Sequence, residues 1–324
     1  MFDKDIVLSL QNFNKKLKSE KFNFYNLEIV RKKLMTKGEF KGASKLSPTE
    51  SQILTNKRPI TAVDGSRIEY GSSYPYSIAI MRTLAATTGY PELTDTQTLS
   101  PLTPEVEMLV EDLARKKRIS NEEALKLYLK NALAELELKT ALAAVRKYKP
   151  YMLILDGGFL LFDKFDNWNI LCEECVQNDT ILVGVIEEVA TAEVAPLIGI
   201  ESIDRPRIYD REILFGLFNK GEYLHLHSDY KIKKDYNTIF ARLSTSPQAI
   251  ACDFIGEQES SIEDTLNLLF TLSPANGQGI PSWLQLVDAR VRLRKKDMNR
   301  VLYTCLDSDV IERYFKPNRE RRIY

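Results

Sequence analysis

Two short segments of the 324-residue chain carry the same chemical signature. Val63-Asp64-Gly65-Ser66 and Leu155-Asp156-Gly157-Gly158 each set an acid and then a glycine after an apolar run. In open α/β sheets ligands bind beyond the carboxyl ends of strands, and a glycine there lets a ligand approach the backbone. One Asp-Gly is an ordinary turn; two of them after apolar strands point to a site. A helix between them offers a third carboxylate. On a wheel of about 100° per residue centred on Glu137, Leu133, Ala141 and Ala144 fall within about 40° of it, while Glu135, Lys139 and Arg146 fall opposite. Glu137 therefore points into the apolar face, where two small alanines let a sheet come close, although Lys126 and Lys130 share that face near the helix start. A buried glutamate without a partner is unfavourable, and a bound cation would resolve the cost. Asp288 is expected on a buried helix face too, with Leu284 at i−4, Val291 at i+3 and Arg292 at i+4 as an alternative ion-pair partner. Four carboxylates suit hard divalent ions, Mn²⁺ or Mg²⁺. Two such ions about 3.5–4 Å apart can hold the attacking and leaving oxygens of a phosphodiester displacement.

The elements that must position these acids follow from hydrophobic patterning. Residues 151–156 and 180–186 read as buried strands, because nearly every position is apolar. Residues 59–64 form a short strand with a turn at Gly65 and Ser66, and residues 73–83 the next strand. Residues 91–104, with Pro91, Pro101 and Pro104, are a loop. The pattern over 105–148 is helical and interrupted near Ser120, where Ser120 and Glu123 form a capping box. A helix near 207–219, strands near 222–227, 237–244 and 248–254, and helices near 261–272 and 282–303 complete the chain. Residues 1–35 look helical, with Leu8, Leu10, Phe13 and Leu17 at helical spacing, and 36–58 read as a polar connector. Helices alternating with buried strands argue an α/β fold with a mixed sheet. The expected organisation is a helical N-terminal extension and connector (1–58), a catalytic domain (59–303) and a basic tail (304–324).

Charge is balanced overall, 45 basic against 45 acidic side chains, but it is segregated. Residues 1–60 carry a net +7, residues 288–324 a net +5, and the middle a net −12. Such asymmetry hints at partners rather than fold. No segment reads as a membrane span or secretory signal, and four cysteines suggest no disulfide framework, so the cytoplasm is the expected compartment.

With these residues in place, the chain resembles the NurA family of DNA repair nucleases, whose catalytic domain has an RNase H-like fold. The resemblance runs from about residue 59 to 300. It rests on residues 62–67, the helix carrying Glu137, residues 153–160, the strand 181–186, the segment 210–222, and the Gly279-Ile280-Pro281 helix. It implies Mn²⁺-dependent DNA end resection in double-strand break repair, with single-strand endonuclease and exonuclease action. It also implies homodimerisation and partnership with the hexameric translocase HerA. It assigns Asp64, Glu137 and Asp156 as metal-binding acids. Where the family commonly has a His after Gly-x-Pro, this chain has Asp288. Where the family often has a basic residue after the strand 181–186, it has Glu187 and Glu188. Arg67 is a substitute contact to the scissile phosphate by bidentate pairing, or else a structural partner of Asp64 or Glu69.

Other features carry less. Cys172 and Cys175 have metal-like spacing but no second pair, so they read as helix-borne thiols. His225 and His227 share a strand face. Arg290, Arg292, Arg294, Lys295, Lys296 and Arg300 form a basic run that is either a solvated face or a DNA-backbone contact. Two rival functions share the Asp-Gly strand ends or the fold: an actin-like or sugar-kinase-like ATPase, which needs a repeat the chain lacks, and an inactive RNase H-like module docking on a DNA motor. A haloacid-dehalogenase phosphatase needs an Asp two positions before the Asp-Gly, where this chain has Ala62.

Overall fold

Residues 152–155 and 181–185 are buried, and they form the parallel centre of a nine-stranded mixed sheet. The structure is a computed structural model and describes residues 3–20, 26–200 and 207–316. The strands are β1 (Gly38–Gly42), β2 (Ile60–Gly71), β3 (Ser77–Thr87), β4 (Leu93–Leu99), β5 (Met152–Asp156), β6 (Ile181–Ile186), β7 (Glu222–Leu226), β8 (Tyr236–Ala241) and β9 (Ile250–Ile255), in the order β1-β7-β8-β9-β6-β5-β2-β3-β4. The helices are α1 (Lys4–Glu20), α2 (Leu27–Leu34), α3 (Pro48–Leu54), α4 (Pro104–Lys117), α5 (Asn121–Tyr148), α6 (Asp166–Gln177), α7 (Val194–Leu197), α8 (Asp210–Leu214), α9 (Ile262–Leu272), α10 (Ser282–Val291), α11 (Lys295–Cys305) and α12 (Ser308–Val310).

The meander β2-β3-β4 is antiparallel, and β5 and β6 run parallel to β2. This is the expected RNase H-like mixed sheet flanked by helices. Helix α5 starts at the Ser120–Glu123 capping box. It lays Ala134, Leu138, Ala141, Ala144 and Val145 on Val63, Ala85, Leu153 and Leu155 of one sheet face. Small side chains on that stripe permit the close approach. Helix α10 covers the other face with Leu284, Val287 and Val291, against Ala62, Leu84 and Ile154. The Trp283 indole N–H donates to the Ala86 carbonyl at 2.8 Å and fixes the angle of α10. At the amino end of the parallel strands, Arg58 donates to the carbonyls of Lys149, Pro150, Asn178 and Asp179, tying the ends of α5 and α6 together.

Several expectations are corrected. The chain does not turn at Gly65 and Ser66: β2 runs on to Gly71, because β3 pairs with it from Thr61↔Thr87 to Gly71↔Ser77. The 91–104 loop contains the exposed edge strand β4. The connector 36–58 holds α3 and also β1, which pairs with β7 at the opposite sheet edge. The helix expected over 207–219 is only the short α8. The helix expected over 282–303 breaks at residues 292–294, where Arg292 and Arg294 adopt extended backbone angles. The N-terminal segment is two helices, α1 and α2, with residues 1–2 and 21–25 outside the described residues, and Leu8, Leu10 and Phe13 of α1 are exposed. Part of the basic tail, residues 317–324, also lies outside them.

Candidate active site

The site is built where β5 stops and β2 does not. Parallel pairing between the two ends at Val63↔Leu155, so Asp64 lies at the last shared level of the sheet. Asp64 has the parity of Ala62, and Gly65 that of Val63, whose face carries α5. A Cβ at residue 65 would overlap the Glu137 carboxylate and come within 2.8 Å of a Leu133 methyl. Gly65 therefore provides the clearance that brings Glu137 against the strand. The wheel placed Glu137 correctly: it is 7% exposed, while Glu135 pairs with Lys139 at the surface. Lys126 and Lys130 on the same wheel sector are solvent-exposed.

Asp156 ends β5 and is followed by a real turn, with Gly157 at φ +107°. The Gly157 N–H donates to the Val185 carbonyl at 2.8 Å, and Phe159 N–H to Oδ2 of Asp253 at 3.0 Å. Asp253, on β9, is fully buried and ion-paired with the buried Lys233. Neither residue stood out in the sequence, although an acid inside the otherwise apolar Ile250–Ile255 strand was a usable signal.

Asp156, Glu187, Gln285, Asp288 and Arg292 line one cleft of about 480 Å³. Asp288 is less buried than expected. Leu284, Val287 and Val291 take the buried face of α10, and Asp288 sits at its margin, paired with Arg292 at 2.7 Å. The break after α10 brings the Leu293 N–H to Ser66 Oγ at 3.1 Å, so this linker crosses β2 beside Asp64.

Burial and mutual repulsion dominate the electrostatics. Asp64 is raised to about 7, chiefly by burial and then by Asp156 and Asp288, with the Gly65 N–H and Arg292 opposing. Asp156, unlike the buried residues before it on β5, is exposed at the cleft, and it is raised to about 6 by partial loss of surrounding water and then by Asp288 and Glu187. Glu137 is pushed well above its usual value by burial, Asp64 and Asp156. Among the described residues no lysine or arginine forms an ion pair with Asp64, Glu137 or Asp156. Excess negative charge of this kind, in an all-oxygen donor set, fits a hard divalent cation. Among the described residues no three His, Cys, Asp or Glu side chains are drawn together as a ready metal cage.

Arg67 pairs with Glu69 at 3.1 Å, one of its two expected structural partners. Arg290 pairs with Glu92. Arg294 and Lys295, at the start of α11, are exposed. Cys172 and Cys175 lie on α6, and burial raises both thiols, that of Cys172 to about 12. His225 is half-buried on β7, with Glu259 at 3.9 Å, and His227 follows that strand. Glu188 is exposed near Arg211.

A family model described as NurA domain matches residues 58–293. No curated protein matches the chain by sequence. Among solved structures, the NurA nuclease from Sulfolobus solfataricus is similar at 12% identity and a TM-score of 0.53, over 95% of this chain and 99% of that one. Endonuclease V of Ciona intestinalis, in complex with inosine-containing DNA, is similar at 14% identity and a TM-score of 0.40, over 90% and 99%. Human ENDOV is similar at 12% identity and 0.41, over 85% and 99%.

Proposed function

The chain belongs to the NurA family, and from that premise we propose that it is a divalent-metal-dependent DNA nuclease acting on DNA ends in double-strand break repair. The observation that carries this reading is the trio Asp64, Glu137 and Asp156, three carboxylates raised by burial and by neighbouring acids, Asp156 acting on Asp64 and both acting on Glu137, without an ion-pair partner among the described residues. In this reading Asp64, Asp156, Glu137 and Asp288 would hold two Mn²⁺ or Mg²⁺ ions. Such ions, when bound, lower the pKa of a water and offset charge on the phosphodiester oxygens.

The chain's own groups prepare that chemistry. Burial makes the ionised forms of Glu137 and Asp64 unfavourable without a counter-charge, so a bound cation would stabilise them strongly at low dielectric. Arg292, released from Asp288, together with Arg294 and Lys295, faces the phosphate backbone, with Arg290 and Arg67 at the flanks. Exposed Ile6, Leu10 and Phe13 of α1 offer apolar surface for the assembly we infer, a homodimer docked on a HerA-type hexameric ATPase in the cytoplasm. No helix among the described residues is long and apolar enough to cross a membrane.

The deciding experiment is cleavage of single-stranded and linear duplex DNA with Mn²⁺. Asp64→Ala and Asp156→Ala should each lower the rate by about a thousandfold or more, several kcal/mol of transition-state stabilisation. Undiminished cutting by the pure double variant would sink the assignment. Binding to DNA should weaken with salt, and neutralising Arg292, Arg294 and Lys295 together should flatten the slope. An unchanged slope would return these residues to ordinary surface.

A further inference from the structure

A charged pair lies under the turn that follows Asp156. Asp253 is fully buried, and Lys233 is nearly so. Asp253 Oδ2 accepts from Phe159 N–H at 3.0 Å and from the Lys233 ammonium, while Oδ1 accepts from the Thr238 hydroxyl at 2.8 Å. The turn rests directly on this pair. A Cβ at residue 158 would lie 3.0 Å from Asp253 Oδ2, 3.1 Å from Lys233 Nζ and 2.9 Å from an Ile186 methyl. From the adjacent strand, a Cβ at Gly184 would lie 2.6 Å from the Gly157 carbonyl oxygen. The loop that carries Lys233 leads into Tyr236, whose ring meets the Phe159 ring edge-on at 5.2 Å. The Phe159 ring therefore packs on the stretch that carries Lys233, while its backbone N–H is held by Asp253, the partner of that lysine.

Stability alone does not account for such a pair. Apolar replacements of buried ion pairs are often neutral or stabilising, whereas removal of one partner leaves a buried charge unpaired. The pair's outward connection runs to one backbone N–H, three residues after the acid at the end of β5. We infer that Lys233 and Asp253 are positioning residues for Asp156: the Lys233-neutralised Asp253 carboxylate clamps Phe159 N–H, and through the two-glycine turn this aims Asp156 into the cleft. The inference rests on Asp156 being a metal ligand of the proposed nuclease.

The test uses the full chain and two independent readouts, amide exchange at Phe159 in metal-free protein and Mn²⁺ affinity by calorimetry. In Lys233→Met/Asp253→Leu the apolar pair removes the acceptor. Phe159 protection should fall at least about tenfold, and Mn²⁺ affinity should fall about 10–100-fold, the usual scale for groups that orient ligands. The kcat for DNA cleavage should drop with KM unchanged. Lys233→Met/Asp253→Asn keeps an oxygen acceptor without the charge and should restore protection and affinity to within a few-fold of wild type. Gly158→Ala supplies a third arm: its methyl would press on Asp253, Lys233 and Ile186 and lift the turn off the pair while leaving both charged residues in the chain, and it should weaken Mn²⁺ binding similarly even if the Leu variant does not fold. Wild-type protection and affinity in either Lys233→Met/Asp253→Leu or Gly158→Ala would overturn the inference. Wild-type protein that binds no Mn²⁺ would remove the nuclease reading instead, and amide exchange would still decide whether the pair holds the turn.

Discussion

Asp64-Gly65 and Asp156-Gly157 put the same two residues after the same kind of apolar run, yet the chain runs straight through one and turns at the other. At the first, β3 pairs past the acid and holds Gly65 extended, so the glycine's use is steric: it leaves room for Glu137. At the second, β5 itself ends at the Asp156↔Val185 pair while its neighbours continue, and Gly157 takes φ +107°, so its use is conformational. An acid on a continuous strand is placed by the sheet. An acid at a strand end has to be placed by whatever lies beneath its turn, here β6 and Asp253. One motif thus answers to two kinds of physical control.

Substitutions that exchange these controls should separate the two. Gly65→Ala should have the largest effect, about 3 kcal/mol in denaturant unfolding, because the new methyl overpacks a rigid helix–strand contact. Cleavage should be lost with it as Glu137 is displaced. Gly157→Ala meets no heavy atom closer than 3.8 Å. It should cost only about 1 kcal/mol of backbone strain, so a loss equal to that of Gly65→Ala would break the distinction.

Titration sharpens the contrast further. Both acids are raised in the folded protein, so the folded state favours their neutral forms. Their contribution to stability is present below the unfolded carboxylate value near about 4, and it is lost as pH rises through about 6 for Asp156 and about 7 for Asp64. Metal-free protein should therefore become less stable between pH 4 and 7.5 through these groups. Asp64→Asn should remove more of that decline at its upper end than Asp156→Asn does. On the proposed reading, in which these carboxylates bind Mn²⁺ in their ionised forms, Mn²⁺ should raise the melting temperature more at pH 7.5 than at pH 5.5. The smallest effect is expected at Asp288: Asp288→Asn breaks a half-exposed i,i+4 pair with Arg292 and should change stability by less than about 1 kcal/mol.

How far the molecule could be read from residue types depended on burial. Residues 152–155 and 181–185 were legible because a strand covered on both faces needs an apolar side chain at nearly every position. Glu137 was legible because helical periodicity separates it from Glu135. The edge strand β4, Leu-Thr-Asp-Thr-Gln-Thr-Leu, was not, since it is polar on the face it exposes and is flanked by Pro91 and Pro101. The break between α10 and α11 was hidden because Arg292-Leu293-Arg294 contains no glycine or proline, and the linker is held instead by Ser66. Lys233 and Asp253 are far from Asp156 in sequence, and only the order β9-β6-β5 brings them beneath its turn.

The pairing of β1 with β7 has a practical side. A chain begun at residue 59, where the catalytic segment is expected to start, would lack Gly38–Gly42 and leave the backbone of Glu222–Leu226 as an open margin. Tyr223 and Leu224, now buried, would flank that margin. Bare apolar margins recruit other strands. Such a shortened chain should self-associate through β7, and restoring residues 38–42 alone should return it to solution behaviour like that of the whole molecule.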